Sequence, residues 1–214
     1  AFVPLLVSAW QHDCKEAIVA GSGTAHLRNN DEVVLDIRDM VVEFRVGNGL
    51  VVKAVSKISF DVCRGETLAI VGESGCGKTT LGKAILQLPP PNSGDVIFEG
   101  TNLTKLPKEQ LRSARTAMQM VFQDPISSLD PRMTVREIVD EPLQIWGRGS
   151  EAEREVKVRE LLNNVGLEPE LVLDRRSYEF SGGQCQRISI ARSLALEPRM
   201  LICDEPVSAL DVSI

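Results

Sequence analysis

The sequence has no excess of positive charge, no apolar run of membrane-spanning length and no paired cysteines. Its formal net charge of −6 argues against broad electrostatic attraction to nucleic acid or to an anionic lipid surface. The apolar opening, residues 1–10, is too short to span a bilayer and lacks the basic start of a secretory signal. The five cysteines are scattered without a CxxC pair, which favours reduced, cytosolic thiols. We therefore expect that, if the protein acts at a membrane, it does so by binding a protein partner there.

The bulk composition predicts one folded domain. The chain has 214 residues, of which 43% are hydrophobic and 25% charged, as is typical of a soluble globular protein. Residues 1–30 show no sustained periodicity and are predicted to be a tail or linker, followed by a domain over 31–214. The chain begins with Ala rather than Met and ends inside an apparent motif, so we expect a piece of a longer protein.

The first part of the domain is predicted to be an antiparallel β portion. The β-rich runs VVLDIRDMVVEF and SKISFDV flank the turn-forming residues 47–49. The next run, ETLAIVG, is apolar and predicts a buried parallel strand that enters a glycine-rich loop and the helix-like TTLGKAILQL. Strand, loop and helix in this order is the context that a phosphate loop requires.

The later part of the domain alternates predicted strands with a helical region. The runs DVIFEG, AMQMVFQ and RMLICDEP predict further strands. Apolar residues recur at helical spacing between Thr134 and Leu167, and Gly166 suits the C-terminal cap of a helix. We therefore expect a helical subdomain over about residues 125–190.

The glycine-rich loop is a complete phosphate-binding motif. Residues 72–79 read GESGCGKT, which matches G-x-x-x-x-G-K-[ST]. The loop glycines would let backbone N–H groups turn towards phosphate oxygens, and the N-terminus of the next helix adds partial positive charge. Lys78 is expected to bridge the β and γ phosphates of ATP, and the Thr79 hydroxyl is expected to bind Mg²⁺.

Two acids follow the last predicted strand. The apolar residues 200–203 place Asp204 and Glu205 at a strand end, where open α/β sheets bind their ligands. Asp204 is the expected partner of magnesium, and Glu205 is a candidate general base for an attacking water. The alternative is an acidic N-cap pair before a helix. The phosphate loop upstream favours the catalytic interpretation, because such an NTPase needs an acid of this kind.

Between these two motifs lies a segment, residues 180–184 (FSGGQ), that resembles the signature sequence of the ABC ATPases. The resemblance implies that this segment contacts the γ-phosphate bound by a second subunit in a head-to-tail dimer. Ser181 and the two glycines offer hydroxyl and backbone donors, and a following helix would point its N-terminus at the anion. As a simple alternative, the segment is a loop before a helix.

Other positions resemble the same family in the same order. Gln123 is similar to the glutamine that approaches Mg²⁺ and the attacking water and senses the membrane partner. Residues 208–211 (SALD) resemble the loop that lines the dimer interface, and Phe44 stands where the family has an aromatic residue that stacks on adenine. A phenylalanine in a β run is otherwise more often a core residue.

The phrases VFQDPISSLDPR, EFSGGQCQR and DEPVSALDVS are most similar to ATPases of the oligopeptide, dipeptide and nickel importers. Cys185 departs from that group, which usually carries a basic residue after the signature glutamine. The family also has a switch histidine beyond residue 211. The histidines of this chain, His12 and His26, lie far upstream and are predicted to be tail residues.

Together these observations predict an α/β protein with a P-loop NTPase core, a mixed or parallel sheet, an N-terminal antiparallel β portion and a helical signature subdomain. The predicted catalytic residues are Glu205 and Gln123, and the predicted metal ligands are Thr79, Gln123 and Asp204. The predicted nucleotide-binding residues are Phe44, Gly72, Glu73, Ser74, Gly75, Cys76, Gly77, Lys78, Thr79, Thr80, Ser181, Gly182, Gly183, Gln184 and Asp211.

The resemblance implies ATP hydrolysis, with ATP and Mg²⁺ as cofactors, that powers import of peptides or related small solutes. The implied partners are membrane permease subunits, a second copy or a paralogous ATPase subunit and, indirectly, an extracytoplasmic solute-binding protein. The implied location is the cytoplasmic face of the cell membrane, with no nucleic acid partner. Two alternatives remain: a soluble ABC ATPase that acts on nucleic acid or ribosomes, and a fragment that binds nucleotide without turnover.

Overall fold

The computed structural model describes residues 33–46 and 50–206. The chain divides into two compact units, with Met118 as the last residue of the first and Gln119 as the first residue of the second. The first unit contains β1 (Val33–Arg45), β2 (Val51–Cys63), α1 (Lys78–Ile85), β3 (Ser93–Phe98), β4 (Thr101–Asn102) and α2 (Lys108–Ala114). Strand β5 (Met118–Val121) begins at the boundary between the units. It is followed in the second unit by α3 (Val135–Ile145), α4 (Glu151–Asn164), α5 (Pro169–Val172), α6 (Gly182–Leu194) and β6 (Met200–Cys203).

The first unit is built on an antiparallel sheet with the strand order β2-β1-β3-β4. The sequence prediction of an antiparallel β portion is confirmed, since β1 pairs antiparallel with β2 in the register Leu35–Val62 and Ile37–Phe60. These four side chains are almost completely buried, whereas Asp36 between the two β1 positions is half-buried. The alternation is that of a sheet with one face on the core.

Residues 66–72 (ETLAIVG) form no strand, so the prediction of a buried parallel strand at this position is wrong. Leu68 is buried, but Ala69 is exposed and Ile70 and Val71 are only half-buried. An apolar run becomes a strand only where neighbouring strands accept and donate its ladder hydrogen bonds. The described strands of the first unit pair with one another and not with this run, so it remains an irregular lead into the loop.

Within its described residues, up to 206, the second unit contains a pair of strands, β5 and β6, and four helices. The two predicted strands are confirmed, and together they carry the parallel part of the fold. Met118, Val121, Met200 and Ile202 are at most 2% exposed, as in strands that are covered on both faces. The Asp204 N–H donates to the Val121 carbonyl oxygen at 3.0 Å, which extends this pairing to the first acid.

The predicted helical region is confirmed as α3 and α4, which pack with α5 and α6 around a second apolar core. Its buried members include Val139 of α3, Leu162 of α4 and Ile188 of α6. Helix α4 ends at Asn164 with Val165 as its C-cap, so Gly166, predicted for the cap, lies one residue beyond it; Gly166 has φ +72, and its N–H donates to the Asn163 carbonyl oxygen at 2.9 Å. This left-handed conformation favours glycine and terminates the helix. The bounds predicted for the subdomain stay a prediction.

Among the described residues, none of the helices has the length and apolar character needed to cross a bilayer.

Candidate nucleotide site

The phosphate loop is held in shape by a glycine at the start of α1. Gly77 is the N-cap of the helix with φ +103 and offers no side-chain cap. A Cβ at this position would also collide with the carbonyl oxygen of Ala54 on β2. Both the left-handed conformation and the close backbone approach exclude larger residues. The N–H groups of the first turn of α1 therefore lie next to the loop without a capping side chain at Gly77.

The side chain of Lys78 contacts the backbone of the loop that precedes it. Its Nζ donates to the carbonyl oxygens of Gly72 at 2.8 Å and Glu73 at 2.9 Å, so the side chain folds back across the loop that precedes it. The first turn of α1 contains no acidic residue, and a basic residue, Lys83, lies in its last turn. Since a helix N-terminus carries partial positive charge, the ammonium group and the helix end together favour an anion at this place.

The other residues predicted on this loop follow the same geometry. Residues 72–76 are exposed, and Gly77, Lys78, Thr79 and Thr80 are half-buried as the chain enters the helix. The structure thus brings Gly72, Glu73, Ser74, Gly75, Cys76 and these four residues into one loop that leads into α1. This loop is the candidate phosphate loop of the first unit.

The acid pair lies at the carboxyl end of β6, as predicted. Asp204 is 8% exposed, whereas Glu205 next to it is exposed and has φ +47. A non-glycine residue in this left-handed region is uncommon and is often associated with a functional site.

Gln123 meets Glu205 although 82 positions separate them in the chain. The Gln123 amide donates from Nε2 to Oε2 of Glu205 at 2.6 Å. Both residues lie just beyond the ends of adjacent strands, β5 and β6, which explains their proximity. Because Nε2 donates to Glu205, the amide oxygen of Gln123 remains to act as an acceptor or metal ligand.

The cysteine that ends β6 lies in an apolar setting. Burial raises the pKa of the Cys203 thiol to about 11, so the thiol stays neutral at physiological pH. The polar side chains at the end of β6 are therefore those of Asp204 and Glu205.

The signature segment forms the N-terminal cap of α6. The Ser181 hydroxyl accepts a hydrogen bond from the Gln184 N–H at 3.3 Å, and Oε1 of Gln184 accepts the Ser181 N–H at 3.0 Å. This reciprocal pair is a capping box. The hydroxyl oxygen is used as an acceptor, so its proton remains as a donor, and Gly182 and Gly183 add no side chains to the first turn. A helix follows the segment, as both interpretations of the sequence require, and its N-terminus lies at the signature residues.

The residue that departs from the family pattern, Cys185, is buried beneath this cap. It is 1% exposed, and its Sγ donates to the Ser177 carbonyl oxygen at 3.3 Å. Burial raises the pKa of the thiol, so the position carries no charge. Close by, the Arg175 guanidinium lies 4.5 Å from the centroid of the Phe180 ring and holds a positive charge near the signature.

Phe44 lies on β1, opposite Val52 of β2, and is 40% exposed. It is therefore not a core residue, and its ring remains accessible from solvent. Asp211 and the two histidines, His12 and His26, lie outside the described residues.

Sequence reasoning missed two features of the second unit. The capping box of α6 was readable in the spacing S-x-x-Q, which is a known helix-start pattern. By contrast, Arg192 of α6 donates to the Ser128 carbonyl oxygen at 2.8 Å, and no local pattern links two residues 64 positions apart.

Comparison with known proteins agrees with this geometry. The family profile described as ABC transporter matches residues 55–208. The oligopeptide transport ATP-binding protein OppF of Haemophilus influenzae is 48% identical over 195 residues, which cover 87% of this chain and 58% of that protein. The oligopeptide transport ATP-binding protein AppF of Bacillus subtilis is 50% identical over 192 residues, 86% of this chain and 58% of that protein. The chain thus spans 58% of the length of these curated relatives.

A solved structure supports the same relationship. The dimeric ATP-binding cassette MJ0796, in a post-hydrolysis state with ADP and Pi, superposes with a TM-score of 0.77 at 31% identity, covering 83% of this chain and 76% of that one. The family match extends over well more than half of the chain and contains the phosphate loop, the signature and the acid pair. The chain belongs to the ABC transporter family.

Proposed function

We propose that this chain binds and hydrolyses ATP and thereby powers the import of peptides or related small solutes through separate membrane subunits. It would act on the cytoplasmic face of the membrane as a peripheral subunit. Two relatives that are 48% and 50% identical are oligopeptide transport ATP-binding proteins, which supports the solute class. The observation that carries the proposal is the phosphate loop with Lys78 folded across it.

The loop suits the triphosphate of ATP. The ammonium of Lys78 already lies against two loop carbonyls, so a phosphate oxygen would replace weak neutral acceptors with a charged one. The first turn of α1 supplies N–H donors with the matching partial charge. Phe44, exposed on β1, would stack on the adenine ring.

Mg²⁺ fits the chemistry of the proposed ligands. Thr79 offers a hydroxyl oxygen, Asp204 a carboxylate and Gln123 an amide oxygen, and hard oxygen donors are what Mg²⁺ prefers. The hydrogen bond from Nε2 of Gln123 to Glu205 orients that amide with its nitrogen towards the acid. When bound, the ion would neutralise charge that develops on the phosphate oxygens.

Glu205 is the proposed general base. The Gln123 amide donates to one of its carboxylate oxygens, and a carboxylate at this place could accept the proton of an attacking water. The exposed position of Glu205 beyond the strand end gives that water access. Gln123 would thus position the base and, through its amide oxygen, the ion or the water.

The signature cap would act on the nucleotide of a second subunit. Ser181 keeps a hydroxyl proton to donate, and the N-terminus of α6 favours a phosphate. The related cassette MJ0796 is dimeric, which supports a pair of ATPase subunits, and the head-to-tail arrangement is what the resemblance to the family implies. Asp211 would line the interface of this pair. We propose a second copy or a paralogous subunit as partner, together with permease subunits and, indirectly, a solute-binding protein.

The proposal is tested by removing the loop ammonium. In the full-length protein, Lys78→Ala should abolish tight ATP binding, because a charge-assisted contact to the phosphates is lost. Lys83→Ala, in the last turn of the same helix, is the matched control and should bind ATP as the wild type does. Isothermal calorimetry with Mg²⁺ measures both. Equal ATP affinity of wild type and Lys78→Ala would refute the assignment of the phosphate loop.

A further inference from the structure

Helix α6 contacts the chain on both sides of Gln123. Near the end of the helix, Nη1 of Arg192 donates to the Ser128 carbonyl oxygen at 2.8 Å. The next residue, Ser193, donates its hydroxyl to the Ser189 carbonyl oxygen of its own helix at 2.9 Å, and the Met120 carbonyl oxygen lies 3.4 Å from the same hydroxyl. Met120 lies three residues before Gln123 and Ser128 lies five residues after it. The helix that begins at the signature therefore contacts both flanks of the glutamine, and its strong hydrogen bond is the one from Arg192 to Ser128.

The segment after Gln123, residues 124–130, is internally braced; we call it the glutamine loop. Oδ1 of Asp124 accepts the N–H groups of Ile126 at 3.0 Å and Ser127 at 3.2 Å. The Ser128 hydroxyl donates to the Pro125 carbonyl oxygen at 2.8 Å. These bonds favour movement of the loop as one body rather than residue by residue. A contact at Ser128 can therefore set the position of the whole loop.

The Arg192 contact is suited to this task. The side chain is half-buried, and burial lowers its pKa, while the charge of Glu141 on α3 opposes that effect. An arginine nevertheless stays protonated at neutral pH. A charged donor in a partly dehydrated place binds a carbonyl oxygen more strongly than a neutral donor does, and leaving it unpaired is unfavourable.

We propose that Arg192 is a positioning residue that locks the glutamine loop to the signature helix. Gln123 at one end and Ser181 at the other then belong to one rigid body, so a displacement of the loop by a bound partner moves the signature with it. The inference rests on the proposed ATPase function, for which Gln123 and Ser181 are the residues whose joint placement matters.

The test compares Arg192→Met with Arg132→Met in the full-length protein. Arg132 is the matched control, since its guanidinium binds Asp130 of the same loop. We expect Arg192→Met to lower kcat by about ten- to a hundredfold, because small displacements of reacting groups are costly. The Kd for ATP should stay unchanged, because the loop of Lys78 does not depend on this contact. Arg192→Lys should give an intermediate kcat, since it keeps a charged donor without the guanidinium geometry.

A second measurement reports the tether without relying on activity. Hydrogen exchange of the amides in residues 124–130, followed by mass spectrometry, should become faster in Arg192→Met and not in Arg132→Met. If both variants exchange alike, no tether exists. If exchange rises but kcat does not fall, or if ATP affinity falls together with kcat, Arg192 has no specific positioning role. A wild type without turnover would refute the proposed function, whereas the exchange comparison would still decide the tether.

Discussion

At the residue scale, Gly77 shows how one backbone conformation defines the phosphate loop. Its φ of +103 and its approach to the Ala54 carbonyl oxygen are separate constraints. The first constrains the local conformation and the second the contact with β2. An added methyl group therefore meets both a torsional and a steric penalty.

Gly77→Ala should destabilise the protein and weaken ATP binding. The left-handed conformation costs a non-glycine residue about 1–2 kcal/mol, and relief of the clash would displace the loop. Gly65→Ala is the control, because Gly65 has φ +76 but open space around a Cβ. Urea unfolding and ATP titration should show a larger loss for Gly77→Ala in both quantities. Equal losses for the two variants would mean that the contact with Ala54 is unimportant.

At the element scale, α6 combines a structural cap with a proposed ligand site. Ser181 forms a capping box with Gln184, and Ser150 forms the same box with Glu153 at the start of α4. The two serines therefore make equivalent contributions to helix stability. Only the one at the signature is proposed to contact phosphate.

Replacing each capping serine by alanine separates these roles. Ser181→Ala and Ser150→Ala should each lower the free energy of unfolding by about 1 kcal/mol, the usual value of an N-cap. Ser181→Ala should in addition lower ATP turnover in the full-length protein, since it removes a donor to the partner's nucleotide. Denaturant unfolding and a steady-state ATPase assay measure the two effects. If Ser150→Ala lowers turnover as much as Ser181→Ala, the serine of the signature has only its structural role.

The sequence predicted those elements whose signals are local. The pairing of β1 with β2, the helix that begins at Lys78 and the end of α4 close to Gly166 follow from the apolar periodicity and the turn residues. The prediction of a strand over residues 66–72 was wrong. An apolar run shows that its residues favour burial, but it does not show whether neighbouring strands are placed to form hydrogen bonds with it. The tether from Arg192 to Ser128 depends on the packing of α6, which no local pattern contains.

At the scale of the whole molecule, the proposed site residues are divided between two units of one chain. The first carries the phosphate loop, and the second carries the signature and the pair of Gln123 and Glu205. The family profile covers both. Because the curated relatives are longer, ATP turnover should be measured with the full-length protein.

The central claim is that Glu205 activates the attacking water, and its most direct test is ATP turnover by full-length Glu205→Gln. The amide keeps the shape of the side chain and its contact with Gln123 but removes the basic site. A positioned general base contributes about 10²–10⁴-fold, so kcat should fall by that factor while ATP still binds. Asp204→Asn is a useful comparison, because it should also weaken the dependence on Mg²⁺. Turnover of Glu205→Gln equal to that of the wild type would contradict the account, since another group would then activate the water.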